Sequence, residues 1–544
     1  MQKANLIFLY SIVAGAFGLL ALIPMAHSAD EPTDCRNIPG ARCPDLDEES
    51  ENTVDESVDT VEESLDTGDE TVNQSLIKNT IVSNLPAGEP VACEHEWTIR
   101  HLYYQPDSML PRRMYFASCN QDTDSPSLFV SFSLGTRIKA KNDKYSGAIL
   151  KSTLNPKTGK LEVEKIQHHS ECVFMEGIAV SSNCKNLSVL CRRNYGDRDF
   201  DHDVLASHPN KDWMTQPKCA KHEMWLYEWK DGNIAAKPIK SRMHRAVDWS
   251  WEYGNNYIRM GDDGTLGMAI KARVADPKGQ CHEADAFLVM DQKSHTYTKR
   301  GWYWACGTGH TIFNRLAYNS DSSKYAMMCG TDGSKKPGSL AGLWIRREDG
   351  ESQEFLTTHR YRLIHKGGPG TILPLAGGGY LGVVLGHDGN ITAKDKIPLQ
   401  PPTEIGLVRF DENARPVGAV KWIAKKKDQY LGYPQITPLG NGRYLLGYGE
   451  MKKTSHSAKE EWSNYSYLIP WDFYLVEIDI NGKFLTKPQK LEGTGWGEQD
   501  QMVSLGRGRV AWAYIPDPTY KELNKAPECN VKELQLSVYD RKEN

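Results

Sequence analysis

The sequence predicts an all-β chain in which a unit of four short strands repeats seven times, and three observations predict it. A phrase of two alternating apolar runs around a polar or Gly-rich turn recurs along the chain; a second strand-turn-strand phrase follows each copy; and the copies keep a regular spacing.

Taken in order, the chain of 544 residues opens with Lys3 and an apolar run from Leu6 to Met25, followed by Ala26-His27-Ser28. That pattern predicts a signal peptide over residues 1–28, with an uncleaved membrane anchor as the alternative. Export to the periplasm or outside the cell follows, and the 12 cysteines are then expected to form disulfides. Residues 29–92 are assigned to a disordered acidic linker, because Asp45 to Glu70 holds 13 acidic residues and no Lys or Arg.

This run hides the character of the rest. The whole chain carries a formal charge of −5, yet 3 of its 65 basic and 16 of its 70 acidic residues lie within the first 75, which leaves a body of balance +8. Such a body favours acidic partners.

The body spans residues 93–544. Clear copies of the first phrase are ILPLAGGGYLGVVLG from Ile372, ITPLGNGRYLLGYG from Ile436 and MVSLGRGRVAWAY from Met502. Looser copies begin at Met114, Gly177, Ile258 and Arg315. The second phrase appears as EMWLYEWKDGNIA from Glu223 and FYLVEIDINGKFLT from Phe473, among others, with Asp-Gly or Asn-Gly marking several turns. The last apolar residues before each turn, Val180, Met260, Tyr318, Leu375, Leu439 and Leu505, are 80, 58, 57, 64 and 66 residues apart. This period resembles that of seven-bladed β-propellers across residues 93–544, which implies radial blades around a central channel. WD-repeat, Kelch and sialidase Asp-box signatures are not matched, and a parallel β-helix or a pair of sandwiches is the structural alternative.

Ring closure is expected from EHEWTIRHLYY, starting at Glu94, laid beside the last strand, Leu534–Tyr539, with Cys93 bonded to Cys529. Two further pairs are expected across hairpins, Cys184 with Cys191 and Cys306 with Cys329.

In a propeller, the residues just before each inner hairpin converge on one mouth of the channel. They are Glu176, Trp251 with Glu252, His310 with Asn314 and Arg315, Lys366, Tyr433 with Gln435, and Glu498, Asp500 and Gln501, flanked by Trp249, Trp304 and Trp496. Trp251, Asn314, Arg315, Tyr433, Gln435, Trp496 and Gln501 suit a polar or sugar-like ligand, the aromatics supplying faces and the polar groups orientation. Glu176, Glu252, Glu498 and Asp500 are the candidate acid/base carboxylates, with His310 for proton transfer. The same residues also serve a propeller that merely satisfies loop backbone and channel water.

No G-x-S-x-G, H-E-x-x-H or phosphate-loop motif is present, so covalent or zinc-peptidase chemistry has little support. A calcium ion is the single cofactor candidate, at the alternating Asp197, Asp199, Asp201 and Asp203, although Val204 stands where a calcium loop of the EF-hand kind needs Gly. The sequence therefore favours an exported, monomeric binding scaffold for an acidic polysaccharide, surface polymer or protein partner, with no nucleic acid and no span in the mature chain. A glycan hydrolase or lyase using the mouth carboxylates is the alternative.

Overall fold

The computed structural model describes residues 76–83, 114–136, 144–208, 222–247, 256–275, 281–303, 311–331, 341–349, 352–358, 369–386, 403–426, 429–452, 472–496, 502–514 and 534–541. These form seven sheets, antiparallel but for one added strand, the blades of a β-propeller. The inner strands of blades one to seven are Tyr115–Cys119, Phe174–Val180, Tyr257–Met260, Thr311–Asn319, Pro369–Pro374, Gln429–Gly440 and Val503–Gly506. Each touches the inner strand of the next blade, and the seventh touches the first, so the ring is closed.

The core lies in the seams between blades. Alternation sends one set of side chains from every strand toward the preceding blade and the other toward the following one. Both faces of a blade are therefore apolar, and seven hydrophobic clusters result, one per seam. Phe116, Ile178, Ile258, Leu316, Ile372 and Ile436 are core residues of six inner strands, and all are buried against the preceding blade.

The closing strand corrects one expectation. Blade seven is completed by Ile77–Val82, which pairs antiparallel with Leu534–Asp540 in the register Ile77 to Tyr539 and Val82 to Leu534. This strand comes from the stretch assigned to the acidic linker, and the compact unit begins at Thr71. Residues 94–104 lie outside the described residues. The closing strand is an edge, exposing Ile81 and burying Val82, so its alternation is weak and the acidic run beside it masks it.

Disulfides supply a second correction. Cys119 is bonded to Cys184 and Cys172 to Cys191, in place of a Cys184–Cys191 pair. Hairpin register explains the difference. Val180 faces Leu187 while Cys191 faces Met175, so Cys184 sits at the turn and Cys191 well up the strand. Cys184 instead meets Cys119 at the end of the first blade's inner strand, joining blades one and two. Cys329 is also disulfide-bonded; Cys93, Cys306 and Cys529 lie outside the described residues.

Blade two carries an additional strand. His202–Asp203 pairs in parallel with Ser241 and Arg242 on its outer edge, and a single 3-10 turn, Val204–Ser207, packs behind it.

Candidate functional site

Four inner strands share one irregularity near the end at which they enter the ring. In blade two Glu176 is inserted between the paired residues Met175 and Gly177. In blade four Phe313 and Asn314 interrupt the ladder between Ile312 and Arg315, in blade five Gly370 and Thr371 do so between Pro369 and Ile372, and in blade six Tyr433 and Pro434 between Gly432 and Gln435. Bulges re-aim side chains and end pairing, and they recur beside functional sites. Local sequence favours them. Pro434 has no N–H to give a ladder, and Tyr433 adopts φ 54°. Gly370 must be glycine, since a Cβ there would collide with the Pro434 carbonyl and Val383.

Immediately after these bulges the inner strands present one equivalent residue each. In blades one to six it is the residue immediately before Phe116, Ile178, Ile258, Leu316, Ile372 or Ile436: Tyr115, Gly177, Tyr257, Arg315, Thr371 and Gln435. All six are buried. Tyr115 and Tyr257 meet edge to face, their centroids 6.0 Å apart. The Arg315 guanidinium lies 4.9 Å from the centre of the Tyr257 ring, and that of Arg259, two residues further along the same strand as Tyr257, lies 6.0 Å from it. Burial, together with the charge of Arg315, pulls Arg259 below the usual guanidinium range. Two cations thus share one tyrosine beside the channel.

Glu176 occupies a different kind of position. It is fully buried and forms an ion pair with Arg192, while Asn256 Nδ2 of blade three donates to its Oε2 at 2.8 Å. Arg192 also lies over the Phe174 ring, 5.2 Å from its centroid. A carboxylate held this way fastens two blades together and is poorly placed to exchange a proton with a ligand.

On the other side of the ring, Thr371 Oγ1 donates to Gln435 Oε1 at 2.6 Å and accepts from the Ile436 backbone N–H at 3.3 Å. Gln435 Nε2 is buried with no hydrogen-bond partner. Tyr433 stacks on Phe473 and accepts a 2.8 Å bond from the indole of Trp496 at its carbonyl. Trp496 is therefore core, packed against Phe473 and Trp512, and presents no face to a ligand.

The four aspartates of the blade-two insertion do not converge. Asp197 accepts from Arg193 at 2.9 Å, Asp199 pairs with Lys240 at 3.1 Å, Asp201 accepts from the Lys240 backbone N–H at 2.9 Å, and Asp203 pairs with Arg242. Each carboxylate has its own partner, so the alternation serves to strap the added strand onto blade two. Among the described residues no group of three or more His, Cys, Asp and Glu could hold a metal ion.

Of the residues that the sequence points to, Glu176, Asn314, Arg315, Tyr433 and Gln435 lie at or beside the bulges. Trp251, Glu252, His310, Glu498, Asp500 and Gln501 lie outside the described residues. Sequence reasoning missed Tyr115, Tyr257, Arg259 and Thr371. The signal for three of them is their equivalent position in each repeat, at which Tyr115 and Tyr257 read simply as core.

No family model matches the chain, and no curated protein matches it. Among solved structures it is similar to Kuenenia stuttgartiensis hydrazine synthase, with 11% identity over 84% of this chain and 99% of that one and a TM-score of 0.40. It is similar also to a Trypanosoma rangeli sialidase mutant displaying trans-sialidase activity, with 10% identity over 69% and 57% and a TM-score of 0.33. A third is Penicillium chrysogenum alpha-L-arabinanase, with 13% identity over 54% and 94% and a TM-score of 0.32. None of these likenesses carries a function to this chain.

Proposed function

We propose that the protein is an exported binding scaffold whose propeller mouth takes an acidic ligand, a polysaccharide, surface polymer or protein segment bearing anionic groups. The observation that carries this reading is the pair Arg259 and Arg315 gathered on Tyr257 beside the channel. Guanidinium groups only donate hydrogen bonds, and two of them close together favour an anion between or beside them. The basic balance of the body adds long-range attraction for the same class of ligand. The disulfides Cys119–Cys184 and Cys172–Cys191 are those of an oxidising compartment, in keeping with export.

Binding is preferred to hydrolysis or lysis because Glu176, the one acid/base candidate among the described residues, is committed to Arg192 and Asn256. An array of acidic and neutral oligosaccharides, with product analysis on the same samples, tests the reading. Retention of acidic members without turnover, lost in folded Arg315→Gln, is the expected result. New reducing ends or unsaturated products would replace the scaffold with a hydrolase or a lyase.

A further inference from the structure

Gln435 is buried in the layer of residues beside the channel, 1% exposed, and half of its amide is unused. The orientation of that amide follows from its neighbours. Thr371 Oγ1 accepts the Ile436 N–H and gives its own proton to the amide oxygen, so the oxygen stands on the Thr371 side. Nε2 is left as a buried donor with nothing to accept from it, a condition that is unfavourable in a folded chain. Thr371 and Gln435 belong to neighbouring inner strands, and Gln435 stands where Arg315 stands two blades earlier, one residue after the bulge. The unused donor and the guanidinium therefore belong to the same layer.

We infer that Gln435 is the second recognition group of the mouth, its Nε2 donating to a neutral oxygen of a ligand whose anionic group is held by Arg259 and Arg315, so that the ligand is an anionic sugar. This rests on the reading of the mouth as an anion site. The chemistry favours a sugar over an acidic peptide for one reason. The groups offered, the Arg315 guanidinium and the Gln435 Nε2, are donors. A peptide brings a backbone N–H for every carbonyl, and a surface of donors leaves those N–H groups without acceptors. A sugar hydroxyl has two lone pairs to offer and can turn its single proton elsewhere.

The experiment titrates the full chain with four probes: an oligogalacturonate, the same oligomer with its carboxylates reduced to alcohols, a sulfated oligosaccharide, and a poly-glutamate peptide. The parent is expected to bind one or both anionic sugars and to bind the reduced oligomer and the peptide at least tenfold more weakly, with carboxylate and sulfate distinguished by the two anionic arms. Gln435→Met, which keeps the side-chain volume, is expected to weaken the favoured sugar roughly tenfold, the value of one hydrogen bond. Gln435→Glu, which replaces the donor by an acceptor, is expected to weaken it further, and a melt of each variant shows that it is folded. Unchanged affinity in folded Gln435→Met and Gln435→Glu, with affinity lost in Arg315→Gln, overturns this inference and leaves the anion site standing. Unchanged affinity in Arg315→Gln overturns both. Tighter binding of poly-glutamate than of either anionic sugar replaces the sugar by a peptide.

Discussion

Tyr115 of the first blade and Tyr257 of the third touch edge to face, with ring planes at 79°, although the inner strand of the second blade, which carries Gly177, lies between theirs in the ring. A Cβ at position 177 would meet Ile258, Asn256 and Leu190 at 3.5–3.6 Å, which is ordinary contact. Gly177→Ala is accordingly expected to fold with stability close to that of the parent. Gly177→Leu must push further atoms into the same packed space and is expected to cost about 1–3 kcal/mol in denaturant unfolding. Equal stability of the two variants would show that the strand has room to yield.

The Glu176–Arg192 pair makes the opposite kind of prediction from a catalytic carboxylate. Glu176→Gln leaves the Arg192 guanidinium buried without its counter-charge and is expected to cost about 3 kcal/mol or more, seen as a lowered midpoint of thermal or urea unfolding. Joint replacement, Glu176→Leu with Arg192→Met, is expected to recover much of that loss. A Glu176→Gln protein that melts like the parent would remove the structural role argued for this residue.

Acid should loosen the region around the added strand of blade two. Burial holds His208 down to about 4, and burial with the neighbouring His208 charge holds His244 down to about 3. His208 packs edge to face on Tyr297, whose hydroxyl donates to the Met243 carbonyl at 2.7 Å. Both imidazoles are favoured neutral in the folded chain, while the unfolded chain takes up their protons near 6.5. Their contribution is therefore complete above about 6.5 and is lost as the pH falls from there toward 4 and 3. Glu171, drawn down to about 2 by the neighbouring His169 imidazole 3.9 Å away, adds a loss in the same direction below its ordinary range. The melting temperature is expected to fall steadily from pH 7 to pH 4, with a shallower slope in His208→Gln. A flat profile for the parent over that interval would contradict the burial argument.

Much of the fold is legible in the sequence because a blade is a local object. Nearly all of its strands pair with a sequence neighbour, so the hairpin phrases and their spacing carry the count of seven units of four. What joins one blade to another is far less legible. Cys119 finds Cys184 only because the end of one inner strand lies beside the next blade's turn, and nothing in the spacing of the two residues says so. The closing strand shows the same limit, since Ile77–Val82 has meaning only beside a strand more than four hundred residues away. At the mouth, Arg315 and Gln435 stand out as polar residues in an apolar phrase. Tyr115 and Tyr257 do not, because they are also seam core, and their pattern is that of any buried aromatic.

Order of synthesis gives the closing strand a further consequence. Among the described strands, Ile77–Val82 leaves the ribosome first and its partner Leu534–Asp540 last. Six of the seven seams join blades adjacent in sequence, and these can form while the chain is still being made. The remaining seam, in which Phe116, Leu128 and Val130 of blade one pack on Leu505, Leu534 and Leu536 of blade seven, must wait for the final strands. Until then blade one keeps an apolar face in contact with water, and Ile77–Val82 is a strand without a sheet. Such surfaces invite association between nascent chains. The seam that forms last is, once formed, as fully buried as the other six.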